Sequence, residues 1–165
     1  MRSSHVDDYG NSLFAGLPAC DITGLQSVQN AAARLFGGIS MFESVHPVFI
    51  DVLHWLPVGE RITFKVSLLT YKALHGLTPS YLTDMLVPVA SNPALCQNRS
   101  ADRGNLVVPR VKNTSYGYHS FSIAAPRLWN TLLCELRSSL SVTTFHTNLK
   151  TYLFRTAYKI SASNY

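Results

Sequence analysis

Glycine and proline cut the first half of this chain into pieces of helical length. Gly16 and Pro18, Gly37-Gly38, Pro57, Gly76 and Pro88 bound segments of roughly one to two dozen residues. Inside them apolar residues recur every three or four positions: Leu25, Val28, Ala32 and Leu35; then Val48, Val52 and Trp55; then Ile62, Val66, Leu69 and Ala73. That period puts each set on one side of a helix. The pattern predicts helices over 22–36, 44–55 and 60–74. A shorter one over 6–17 carries Leu13, Phe14 and Leu17, and another, opened by Pro79, carries Tyr81, Leu82, Met85 and Leu86. Asp21 or Thr23 can cap the second helix, and Ser44 the third, with Pro47 tolerated in its first turn. Ala31-Ala32-Ala33 has high helical propensity and lets a neighbouring element come close.

The character changes at Pro88. Residues 88–104 are rich in Pro, Ser, Asn, Gln, Arg and Gly and read as a loop. Leu106-Val107-Val108 is β-branched, and Pro109 bars it from the interior of a sheet. Tyr116 to Ile123 alternates Tyr116, Tyr118 and Ser120 with His119, Phe121 and Ile123. The two runs predict a hairpin. A short helix follows over Ala124 to Leu133. Ser141 or Thr143 caps a last helix to Tyr158, with Phe145, Leu149, Tyr152 and Leu153 inward. The expected fold is mainly α, a helical bundle-like domain with one small β-hairpin in its second half. Its parts are 1–87 (helical), 88–104 (loop) and 105–165 (basic hairpin and helix), together forming one compact domain. A chain of 165 residues can bury one core of that kind.

At 47% hydrophobic and 14% charged, the chain is not disordered by composition. No run approaches the ~20 apolar residues that cross a bilayer, and Met1-Arg2-Ser3-Ser4-His5-Val6-Asp7-Asp8 holds no apolar signal core. The expectation is an intracellular protein, cytoplasmic or nuclear, with no membrane attachment. Cys20, Cys96 and Cys134 are odd in number and widely spaced, so they read as reduced thiols rather than zinc ligands or disulfides. The sequons at Asn98 and Asn113 carry no meaning without a secretory route.

Charge is unevenly distributed. Residues 1–102 hold six basic and eight acidic groups, a net of −2, whereas residues 103–165 hold eight basic groups against Glu135 alone, a net of +7. A polyanion would favour the second half, although these charges are scattered rather than clustered, as on a plain solvated face. Arg103, Arg110, Lys112, Arg127, Lys150 and Arg155 are the candidate phosphate contacts. Most aromatics share stripes with Leu and Val and belong to the core. Tyr116 and Tyr118 differ: they lie near Arg110 and Lys112, and could stack on bases. Arg127 either neutralises helix C-terminal carbonyls or reaches a phosphate, and its apolar neighbours favour the structural role.

Catalytic signatures are missing. Asp7-Asp8 resembles the paired aspartates of a polymerase only in composition, because Tyr9 to Leu13 supplies no strand around them. A helix-start cap explains them better. The six histidines never pair at i, i+4, and neither a nucleophile elbow nor a phosphate-binding glycine loop occurs. The sequence therefore predicts no enzyme, cofactor, metal or small-molecule substrate.

Several segments, in order, resemble one family. They include Asp8 to Pro18 (DYGNSLFAGLP), Val28 to Leu35 (VQNAAARL), Leu53 to Val58 (LHWLPV), Leu69 to Leu77 (LTYKALHGL) and Pro79 to Leu82 (PSYL). Leu106 to Arg110 (LVVPR), Phe121 to Asn130 (FSIAAPRLWN), and Phe145 with Leu149 to Arg155 (LKTYLFR) complete the series. Together they resemble the region downstream of the polymerase core in non-LTR (LINE-type) retrotransposon reverse transcriptases, over about residues 6–158. The resemblance implies a non-catalytic C-terminal accessory segment of a longer polyprotein, one that holds template RNA or target DNA. It carries over no catalytic residue. The alternatives are a structural module that packs on the reverse transcriptase core without a ligand of its own, and a degenerate fragment without function. Gly10, the run 95–105, and Leu133-Cys134 depart from the family's usual residues.

Overall fold

A computed structural model describes Ala15 and residues 19–91, 104–110 and 120–159. The helix expected over 6–17 lies outside the described residues, Ala15 excepted. The chain divides into two compact units, Met1–Gly16 with Ile62–Lys150, and Leu17–Arg61 with Thr151–Tyr165. Six α-helices are described: α1 (Ala19–Gly37), α2 (Val58–Leu74), α3 (Ser80–Asp84), α4 (Phe121–Thr131), α5 (Cys134–Arg137) and α6 (Val142–Tyr158). The expected mainly α class holds. None of these helices is long and apolar enough to cross a membrane.

In the unit that contains α1, the buried residue on that helix is a small one. Ala33 is fully buried and packs with Val45, Val48 and Phe49, bordered by Ile39, Leu53, Trp55 and Tyr158. A Cβ on Gly37 would sit 2.9 Å from a methyl of Val48, so the absent side chain permits the approach. Polar side chains on α1 complete the join. Gln29 Nε2 donates to the Leu56 carbonyl at 2.9 Å, and Gln26 Oε1 accepts from the Val58 N–H at 2.9 Å. The second bond satisfies a donor that the first turn of α2 leaves open. The expected stripe is thus not the buried face: Leu25, Val28 and Leu35 are exposed. A leucine-bearing face could offer neither the acceptor for Val58 nor the clearance for Val48.

The helix expected over 44–55 is also different. Ser44 Oγ does accept from the His46 N–H, but the regular segment is a six-residue π-helix, Val48–Leu53, that ends in a left-handed His54 (φ 50°). Val48 and Phe49 are buried, and Val52 is exposed. Pro57 holds the preceding residue extended, which leaves no room for a further turn.

The other unit is built around Tyr71 of α2. Its ring lies between His75 (centroids 4.0 Å apart) and Phe145 of α6 (4.3 Å), both nearly parallel to it. Its hydroxyl donates to the Ser139 carbonyl at 2.6 Å. Trp129 of α4 packs 5.8 Å from Phe145. Of the expected α2 stripe, Ile62, Val66 and Ala73 are buried, together with Phe64, Leu68 and Thr70. Gly76, at φ +67°, ends that helix as expected. Thr83 on α3 donates to the Ala73 carbonyl, fixing the short helix against α2. Ser141 caps α6 by accepting from the Thr144 N–H at 3.1 Å.

The β-hairpin is the main correction. Among the described residues there is no strand, only an isolated antiparallel bridge between Pro88 and Leu106. Val107 N–H donates to Val87 and Val89 N–H to Asn105, so the 106–108 run pairs with the chain before the loop. Phe121 and Ile123 belong to α4, which starts three residues earlier than expected because the Ser120 carbonyl accepts from both Ile123 and Ala124. The alternation at 119–123 fits helical spacing too, with Phe121, Ala124 and Ala125 all buried on α4. Residues 116–119 lie outside the described residues. The α5 turn had no counterpart in the expectation.

Candidate nucleic-acid interface

The segment 104–110 leads to Arg110, and three side chains clamp it. Asn130 Oδ1 accepts from the Leu106 N–H at 2.9 Å, and Asn130 Nδ2 donates back to the Leu106 carbonyl at 2.9 Å. Trp129 Nε1 donates to the Gly104 carbonyl at 3.0 Å. Arg137 donates to Asn105 Oδ1. Leu106 is buried by this arrangement, whereas Val108, Pro109 and Arg110 emerge into solvent. The Trp129-Asn130 pair thereby gives a rigid root to the backbone that presents Arg110.

Arg127 and Lys150 are the other candidates in this unit, and both are exposed. Arg127 lies on α4 beside the buried Pro126 and before the last turn of the helix. Arg155, also exposed, belongs to the other unit. Arg103, Lys112, Tyr116 and Tyr118 lie outside the described residues. Of the described candidates, Arg110, Arg127 and Lys150 fall in one unit and Arg155 in the other.

A cavity of about 340 Å³ opens beside the clamp, with walls that include Leu74, His75, Ala90, Asn105, Trp129 and Arg137. His75 Nδ1 lies 2.8 Å from the Tyr71 carbonyl. A carbonyl only accepts, so Nδ1 carries the proton and the Nε2 of a neutral ring is an acceptor. No described cluster of three His, Cys, Asp or Glu side chains could hold a metal ion.

In the unit of α1, Tyr158 donates to the Trp55 carbonyl at 2.6 Å and packs edge-on against His46 and Phe154. Burial, and secondarily the Glu60 carboxylate, pushes its phenol up from 10.0 to about 12. The hydroxyl is therefore a firm donor, and not an acid near neutrality.

Asn130, Gln26 and Gln29 are the positions that residue-by-residue reading missed as anchors. The partner of each lies 24 to 32 residues away. No protein-family model, no curated protein and no solved structure matches the chain.

Proposed function

We propose that this chain is a non-catalytic accessory segment of a LINE-type reverse transcriptase and holds nucleic acid by its phosphates. The observation that carries the reading is the outward placement of its cations. Arg110, Arg127, Lys150 and Arg155 are all exposed, in a region with eight basic groups against one acidic. The described aromatics nearby, Phe121, Trp129 and Phe145, are buried in the core and are not stacking platforms. Binding of this kind is tolerant of sequence and strongly salt-dependent.

The test is a salt titration of the purified chain against labelled single-stranded RNA and duplex DNA. The expected result is a steep fall of affinity with salt. Arg110→Glu combined with Lys150→Glu should weaken binding at every salt concentration and flatten the slope by roughly 0.7 per lost contact on a single strand. Absence of binding by the folded wild type, or an affinity unchanged by the double charge reversal, overturns the reading.

One observation favours the packing-module alternative: the apolar side of α1 faces solvent.

A further inference from the structure

Three rings run outward from the core of the α2 unit as one stack. Phe145 is fully buried. Tyr71 lies 4.3 Å from it at an interplanar angle of 16°, and His75 lies 4.0 Å from Tyr71 at 18°. Two rings so close and so nearly parallel to Tyr71 must occupy its opposite faces, which makes His75 the outer end. His75 is also exposed. Its inner face is against Tyr71, and its Nδ1 is against the Tyr71 carbonyl at 2.8 Å. The ring is thereby fixed, and its outer face and Nε2 edge are what it leaves open. His75 forms part of the wall of the cavity of about 340 Å³, a volume within the ~300–1,000 Å³ of small-ligand sites. Arg137, held by Asn105, contributes a guanidinium to the same wall. Leu74 and Leu106 add apolar surface.

We propose that the outer face of His75 stacks on an unpaired nucleobase, which becomes the fourth ring of the series. A fixed aromatic face is what single-strand sites offer to bases, and histidine is among the side chains that serve. Charge favours a nucleotide over a neutral planar ligand: residues 62–150 hold nine basic groups against Asp84, Asp102 and Glu135, a net of +6. Leu106 lies on the cavity wall, and the exposed Arg110 is four residues further on, within ~13 Å of extended chain. A base in the cavity therefore leaves the phosphates of its neighbours within reach of Arg110. A base inside a duplex is covered on both faces and cannot enter, so the expected source is a single strand. The inference rests on the nucleic-acid reading above and names the part of the ligand that the cations do not contact.

The experiment compares the full chain with His75→Ala and His75→Phe for binding of labelled single-stranded RNA and duplex DNA by fluorescence anisotropy. His75→Ala should weaken single-strand binding by roughly 5- to 100-fold, the usual range for the loss of one stacked base. His75→Phe keeps a ring and should restore most of that loss. Duplex affinity should change with neither. An unchanged helical circular dichroism signal checks the fold of each variant. A His75→Ala chain that binds single strands as the wild type does, or that loses single strand and duplex alike, overturns the base site. The phosphate reading survives that result if Arg110→Glu with Lys150→Glu still weakens binding. Adenosine monophosphate separates the two readings, because a single nucleotide needs no array of cations. In proton NMR it should move the ring resonances of His75, identified by their loss in His75→Ala, upfield. Ribose 5-phosphate should not. That shift in a chain that binds no RNA makes a free nucleotide the occupant and overturns the phosphate reading alone. Absence of the shift, or an equal one with ribose 5-phosphate, overturns the base site.

Discussion

The Asn130 carboxamide pairs with Leu106 as a neighbouring strand would, accepting from its N–H and donating to its carbonyl, both at 2.9 Å. One side chain thus satisfies both polar groups of a backbone unit whose own side chain is buried. Asn130→Ala should destabilise the protein by about 2–3 kcal/mol, the cost of leaving two such groups unsatisfied. Asn130→Asp keeps the acceptor but turns the donor into a second acceptor against the Leu106 carbonyl. It should cost at least as much at neutral pH and less once the carboxyl is protonated. Urea denaturation at two pH values measures both.

Gly37→Ala replaces a poor helix former with the best one, a gain of up to ~1 kcal/mol in an open helix. Here the new Cβ would meet Val48 at 2.9 Å. Val48 is buried and β-branched, with no flexible end to move aside. Overpacking should win, with a net loss of about 1–2 kcal/mol, visible as a lower Tm. A rise in Tm would mean that α1 and the π-helix part easily.

Tyr158 gives a pH signature. Its folded-state pKa is raised from 10.0 to about 12, by burial first and the Glu60 carboxylate second. A raised pKa means that the folded state retains the proton more firmly than the unfolded one. The resulting stabilisation is fully present below pH 10 and is lost as pH rises from 10 to about 12. Partial exposure tempers its size through solvent screening. Denaturation of the wild type against Tyr158→Phe across that window should show the wild type losing stability more steeply. Parallel curves would sink the assignment.

Much of the helical skeleton was legible in the chain itself. The stop at Gly76, the cap at Ser141 and the inward Phe145, Leu149 and Leu153 follow from local chemistry and period, and they appear as expected. The exposure of Arg110, Lys150 and Arg155 was readable because charge resists burial. What failed was every inference in which one segment had to choose among partners. Val107 and Val108 have strand character, but only the folded chain shows that this run meets Val87 and Asn130.

The sequence by itself determined that α1, α2, α3 and α6 are helices, and placed the stop at Gly76 and the cap at Ser141, because caps, breakers and apolar spacing act within a turn or two of the backbone. Tertiary structure alone decided which face of α1 is buried, since that depends on the distant fit of Val48 to Gly37 and of Val58 to Gln26. Hydrophobic periodicity shows that a helix has an apolar side. It does not say whether that side meets its own chain, and here close approach and a satisfied N–H prevail over the larger apolar area.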